Sequence, residues 1–295
     1  MDKHIFVDED VNIFTGTDAK THLEKESDAH FLSEGEGVVS VTKARWQVAQ
    51  RYECRTWMTK GSHAVDDRNY THYENFDGYK VLQGMTFNHA IELGCGPFTN
   101  LRYISESCKI EKCTLLDPLA ESYLNHRNCR YTKKYLRGEQ RPLFEKLSKS
   151  VVHRGIRRLL RSVLPQFLYS GIPVESVIPK PIEEYETTTK FDLIVMINVI
   201  EHCFDINAIF NEIKNMSKEG TVFIFQDKYY FHEQVSKQIM RQYDAGHPLR
   251  VDKRVVDYFL EQTFVPLFKQ VKREERVVDD IDISFDSIYY IGKLK

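Results

Sequence analysis

From Asn88 onward, short apolar runs alternate with segments long enough for a helix, and this alternation constrains the fold more than any other feature of the chain. The runs are Ala90-Ile91-Glu92-Leu93, Cys113 to Asp117, Phe191 to Ile197 and Gly220 to Phe225. They are apolar almost throughout, so they predict strands of a parallel sheet buried on both faces by the intervening helices. Strand–helix–strand units of this kind are right-handed, and the predicted class is α/β, a doubly wound, mostly parallel sheet. The end of the chain differs. Arg276 to Asp282 and Ser287 to Leu294 are β-branched, aromatic-rich runs close enough to pair as a C-terminal antiparallel hairpin.

Three regions follow from composition and pattern. Residues 1–40 carry ten acidic against three basic side chains with little periodicity, and read as an acidic N-terminal arm. Residues 41–85 read as a helical cap: Val41, Ala44, Trp46, Ala49, Tyr52 and Trp57 recur at helical spacing, and Asp66 to Leu82 is aromatic-rich and helix-compatible. Residues 86–295 form the core, with an insertion at about 118–173. Residues 118–180 hold thirteen Lys and Arg against four Glu. Val152, Ile156, Leu159, Leu160, Val163, Leu164 and Phe167 predict a helix there, flanked by Arg154, Arg157, Arg158 and Arg161. It is read in three ways: a solvated basic face, a lid that attracts an anionic acceptor, or a helix resting on an anionic membrane surface.

An apolar content of 42% suffices for one large domain. No run approaches the roughly 20 apolar residues of a membrane span, and the start Met1-Asp2-Lys3-His4 lacks the features of a signal peptide, so a cytoplasmic protein is expected. The six cysteines show no C-x-x-C pair and no histidine at zinc-finger spacing; free thiols and no metal are expected.

The most specific segment is Ile91-Glu92-Leu93-Gly94-Cys95-Gly96-Pro97-Phe98-Thr99, between a predicted strand and a helix expected from about Asn100. Gly94 and Gly96 let the chain turn tightly and let a ligand approach where a Cβ would clash. Asp117 ends the next strand, where an acid can accept hydrogen bonds from ribose hydroxyls. A dinucleotide site would ask for glycine at position 99, which is Thr, and Glu92 would repel a pyrophosphate. That carboxylate can instead pair with the ammonium of an amino-acid moiety.

With these residues the chain resembles the class I S-adenosylmethionine-dependent methyltransferases over most of the core. The family's acidic-x-Gly-x-Gly motif matches Glu92 to Gly96, and its ribose-binding acid matches Asp117 in Leu116-Asp117-Pro118-Leu119. The fourth-strand motif resembles Phe191 to His202, near the Phe-Asp…Glu-His pattern of small-molecule and glycan methyltransferases. The resemblance implies a Rossmann-like core, an antiparallel strand beside the fifth, and S-adenosyl-L-methionine as cofactor. It further implies cofactor contacts from Glu92, Gly94, Cys95, Gly96, Asp117, Pro118, Leu119, Ile182, Glu183, Asn198, Val199 and His202, with Ile182 and Glu183 at the adenine. The sequence departs from the family in its long stretch from Pro118 to Pro173.

An Asn/Asp-Pro-Pro-aromatic motif is absent at 198–201 and no Pro-Cys pair occurs, which leaves oxygen or an amine nitrogen as methyl acceptor. A neutral hydroxyl must lose its proton, so a general base is expected. His247, in the turn Gly246-His247-Pro248, is the first candidate, with Asp227 and His232 as alternatives. The expected activity is methylation of a hydroxyl on a sugar, glycan precursor or other polar small metabolite. Two alternatives stand beside it: an RNA or protein methyltransferase whose basic insertion meets phosphates, and an inactive nucleotide-binding subunit. A small-molecule or glycan acceptor is the expected partner, rather than nucleic acid.

Overall fold

The computed structural model describes residues 30–31, 37–58, 68–124, 129, 131, 172–235, 246–275, 277–278, 281–282 and 284–295. In chain order the elements that place the site are β1 (Gly37–Ser40), α1 (Lys43–Met58), α2 (Arg68–Asn75), β2 (Ala90–Leu93), α3 (Leu101–Ile104), β3 (Cys113–Leu116) and α4 (Ala120–Leu124). They continue with β4 (Val174–Ile178), β5 (Phe191–Ile197), α5 (Ile206–Met216), β6 (Ser217–Tyr229), β7 (Arg250–Val251), α6 (Lys253–Thr263), β8 (Phe264–Glu274) and β9 (Phe285–Leu294).

Seven strands form one sheet in the order β8-β9-β6-β5-β2-β3-β4. The run β6-β5-β2-β3-β4 is parallel, and β9 lies antiparallel between β6 and β8. The apolar runs read as strands are therefore the central strands, and every residue of β2 and of β3 is buried. From β2 the chain winds outward through β3 to β4, then returns to β5 on the other side. A crevice opens beyond the strand ends at such a reversal.

One face of the sheet is covered by α5 and α6. Ile206, Ile209, Phe210, Ile213 and Met216 recur every three or four residues along α5 and all are buried. Phe210 stacks on Phe259 of α6 with ring centroids 3.8 Å apart. Each helix begins on an aspartate: Asp205 accepts from the amides of Asn207 and Ala208, and Asp252 from that of Arg254. The opposite face packs Phe76, Tyr79 and Leu82, from the end of the cap, with Leu101, Ile104 and Tyr289.

The helical cap forms as its periodicity predicts. It is fastened to the core by the Trp46 Nε1 and Gln50 Nε2 donors, both bonded to the His202 carbonyl oxygen at 3.1 and 3.0 Å. Two boundaries differ from expectation. Residues 37–40, assigned to a loosely held arm, are a strand that pairs with β7, and Val38 and Val39 are fully buried. Three consecutive residues, Gly37-Val38-Val39, are too short a run to show a period. The hairpin partner of β9 is Phe264–Glu274, not 276–282; Val277–Val278 and Ile281–Asp282 pair with each other. Strand β8 is an edge: it carries Pro266 at a register irregularity and Lys269, Lys272 and Arg273, so its sequence lacks the apolar signature of an inner strand. The predicted basic helix with Arg154, Arg157, Arg158 and Arg161 lies outside the described residues.

Candidate functional site

A cavity continuous with solvent lies at the C-terminal ends of β2, β3 and β5, with the cap as its far wall. At the end of β2 the chain turns through Gly94 at φ +67°, and a Cβ there would stand 2.6 Å from a Val199 methyl. The Gly94 amide donates to the Leu116 carbonyl at 2.8 Å, which ties the turn to β3. Gly96 borders open space in the cavity. Two non-glycine residues near the site, Thr99 and Asn198, also have positive φ, at 50° and 56°. Such backbone costs about 1–3 kcal/mol and is held only where the surroundings enforce it.

Glu92 is that enforcement for the glycine turn. Its Oε1 accepts from the Asn100 amide at 2.8 Å and the Asn100 side chain at 2.9 Å, while Oε2 accepts from the Thr99 hydroxyl and the Leu101 amide. Burial raises its pKa to about 7 against the pull of these bonds. Glu92 is not among the residues that line the cavity, and its oxygens serve the first turn of α3.

Asp117 does line the cavity. Its Oδ2 accepts from the Gly96 amide at 2.9 Å and its Oδ1 from the Leu119 amide at 2.8 Å. A carboxylate offers about four acceptor positions, so each oxygen keeps a lone pair for a ligand hydroxyl. Burial lifts its pKa to about 6. Across the cavity Ile182 and Glu183 form a second wall. Glu183 Oε1 accepts from the amides of Phe204 and Asp205, but its buried Oε2 has no hydrogen-bond partner among the described residues. An orphaned buried acceptor is costly, and this one belongs to a residue that lines the cavity. Burial raises this carboxyl to about 7. Cys95, Pro118, Leu119, Asn198, Val199 and His202 complete the predicted wall.

The three base candidates fare differently. Asp227 is buried, does not line the cavity, and accepts from the amides of Val199, Ile200 and Lys228 at 2.8–2.9 Å; it holds the turn that follows β5. Burial and then Glu201 raise its pKa to about 6. His232 is exposed and away from the cavity wall. His247 is half-buried, its ring 4.5 Å from that of His202, which does face the cavity. His202 Nδ1 lies 3.1 Å from the Gly246 carbonyl oxygen and 3.8 Å from Glu53 Oε1, and burial lowers its pKa. The adjacent Glu201 pairs with Arg250 and Lys228 and accepts from the Tyr230 hydroxyl. Burial works against its ionisation, yet Arg250 and then Lys228 hold it well below the usual carboxylate range. It anchors β7 to the end of β6.

The cap wall was not assigned from sequence. Trp46, Gln50, Glu53 and Trp57 line the cavity from α1, and Asn69 and His72 from α2. Their signal was present: 46, 50, 53 and 57 fall on one helical stripe that mixes aromatic and polar side chains, unlike an ordinary core face.

The family described as a methyltransferase domain matches residues 70–271. No curated protein matches the chain in sequence. Among solved structures the chain is similar to the N-methyltransferase NodS from Bradyrhizobium japonicum WM9 with bound S-adenosyl-L-homocysteine, at 14% identity and a TM-score of 0.47, over 85% of this chain and 98% of that one. It is similar to 1,6-didemethyltoxoflavin-N1-methyltransferase from Burkholderia thailandensis at 12% identity and a TM-score of 0.46, over 90% and 99% of the two chains. A putative methyltransferase from Bacillus halodurans C-125 gives 12% identity and a TM-score of 0.45, over 76% and 98%. With its glycine turn, its acid at the end of β3 and its parallel sheet closed by an antiparallel strand, the chain belongs to the methyltransferase-domain family.

Proposed function

We propose that the chain methylates a hydroxyl oxygen of an uncharged, polar small metabolite such as a sugar or glycan precursor. S-adenosyl-L-methionine supplies an electrophilic methyl group on its sulfonium sulfur. In this reading Asp117 accepts from the ribose hydroxyls with its remaining lone pairs, and Glu183 Oε2 accepts from the adenine amino group beside Ile182. The turns at Gly94–Gly96 and Asn198–Val199 flank the methionine portion.

The cap wall carries the acceptor assignment. Trp46 and Trp57 offer broad apolar faces, while Gln50, Asn69 and His72 offer amide and imidazole groups to hydroxyls. Among the described residues the wall holds no Lys or Arg, whereas Glu53, Asp117 and Glu183 all border the cavity. An anionic acceptor would find no Lys or Arg to pair with among these residues, so the composition supports a neutral one. His202, with His247 behind it, puts imidazole on the same side.

The test uses methyl-labelled S-adenosylmethionine with panels of neutral sugars, amino sugars and sugar phosphates. A gain of one methyl on a neutral sugar, with the chemical shift of an O-methyl carbon, is the expected result. An N-methyl product, or a preference for phosphorylated acceptors, would overturn the assignment.

A further inference from the structure

Three elements converge where the cap meets the cavity. Glu53 comes from α1, His202 from the turn after β5, and His247 from the turn before β7. The donor atoms of these three side chains lie within 4.8 Å of one another. Glu53 is 8% exposed, and its Oε1 lies 3.8 Å from His202 Nδ1. A buried carboxylate is costly unless it is paired or coordinates a metal. The placement is enforced by close packing, since a Cβ on Gly246 would stand 2.5 Å from Glu53 Oε1. The Gly246 carbonyl can only accept, so His202 Nδ1 carries its hydrogen and Nε2 keeps the electron pair. A backbone carbonyl fixing the tautomer in this way is the usual support of a ligating histidine.

We propose that Glu53, His202 and His247 together bind one divalent first-row transition ion at the acceptor end of the cavity. Bonds of about 2.0–2.2 Å set the ligand atoms of a tetrahedral ion roughly 3.3–3.6 Å apart, so atoms now within 4.8 Å of one another, His202 through Nε2, close by about 1–1.5 Å on binding. Two imidazoles and one carboxylate suit Zn²⁺, Mn²⁺, Fe²⁺ or Co²⁺ rather than Mg²⁺ or Ca²⁺, which take oxygen ligands. Three protein ligands leave a position for an acceptor oxygen, and a hydroxyl held by a divalent cation is a stronger acid. What the ion does rests on the reading that a hydroxyl is methylated; its binding does not.

The full chain, stripped with chelator, is titrated with Co²⁺ and with Zn²⁺ by calorimetry and by the ligand-field absorption of Co²⁺. One equivalent per chain is expected. Glu53→Gln and His247→Ala should each weaken it by at least about 100-fold, the upper end of the effect of outer-shell changes. Circular dichroism checks the fold of both, and His247→Gln, at a half-buried turn, replaces either that fails. Equal Co²⁺ binding by wild type and folded variants, or none by wild type, refutes the site. Hydroxyl methylation at full rate by the stripped protein overturns the role of the ion and leaves the function standing. A bound ion with an N-methyl product keeps the site and overturns the function.

Discussion

Asp117 and Glu183 meet across one cavity with carboxyls that burial holds at about 6 and about 7, above their ordinary values of 3.8 and 4.5. In the ligand-free chain the fold favours their protonated forms, so both work against stability as pH climbs from about 4 to about 7. A ligand that donates hydrogen bonds to them selects the ionised forms. Affinity for S-adenosylhomocysteine should therefore fall as pH drops from 8 through 7 to 5.5, and calorimetry across that window checks it. Asp117→Ala should weaken binding by about 1.5–3 kcal/mol, the range for a hydrogen bond to a charged group, and shrink the pH dependence. Unchanged affinity in a folded variant would remove Asp117 from the ribose. Asp227 gives the contrasting case. Its oxygens are occupied by three amides, so Asp227→Asn should cost about 1–3 kcal/mol of stability, read by denaturant unfolding. If stability is unchanged and only kcat falls, the carboxyl is a base after all.

At the scale of elements, α1 both walls the cavity and is bonded to the His202 carbonyl through Trp46 and Gln50. Cutting both bonds with Trp46→Phe and Gln50→Ala should loosen the helix and leave Asp117, Ile182 and Glu183 in place. Faster amide exchange over 43–58 and a raised acceptor KM, with cofactor affinity within about twofold, are the expected outcomes. Cofactor affinity falling as far as acceptor affinity would mean that the cap holds both ligands. The helix itself was legible because Val41 to Trp57 keeps helical spacing. The inner strands were legible because both of their faces are buried, so each reads as an unbroken apolar run. Edge strand β8 was not, since half of it is wet: Val265 is 50% exposed and Val271 44%. The bonds by which Glu92 ties down the turn were not legible, because an acid beside a glycine turn looks the same whichever groups it meets.

At the scale of the whole molecule, the glycine turn and Asp117 could be read from sequence because their partners are local: 23 residues separate Gly94 from Asp117. The cluster at the cap could not. Glu53, His202 and His247 are separated by 149 and 45 residues, and no spacing rule links such positions. The cavity is thus a joint between parts of the chain that meet only on folding. Its lining comes from residues 46–57, 69–72, 94–100, 117–123, 181–183 and 197–203. A ligand that fills it should stabilise all six segments at once. Saturation at 100 times Kd adds about 2.7 kcal/mol to the folded state. For a chain of this size that corresponds to a Tm rise of roughly 5 °C or more. S-adenosylhomocysteine should produce this shift and slow amide exchange over 94–100, 117–123, 181–183 and 197–203 together, with the smaller change over 46–57. Adding an acceptor should then slow exchange over 46–57 as well. Protection confined to the glycine turn, or a full response of the cap to the cofactor product alone, would show that the two ends of the cavity do not divide the ligands in this way.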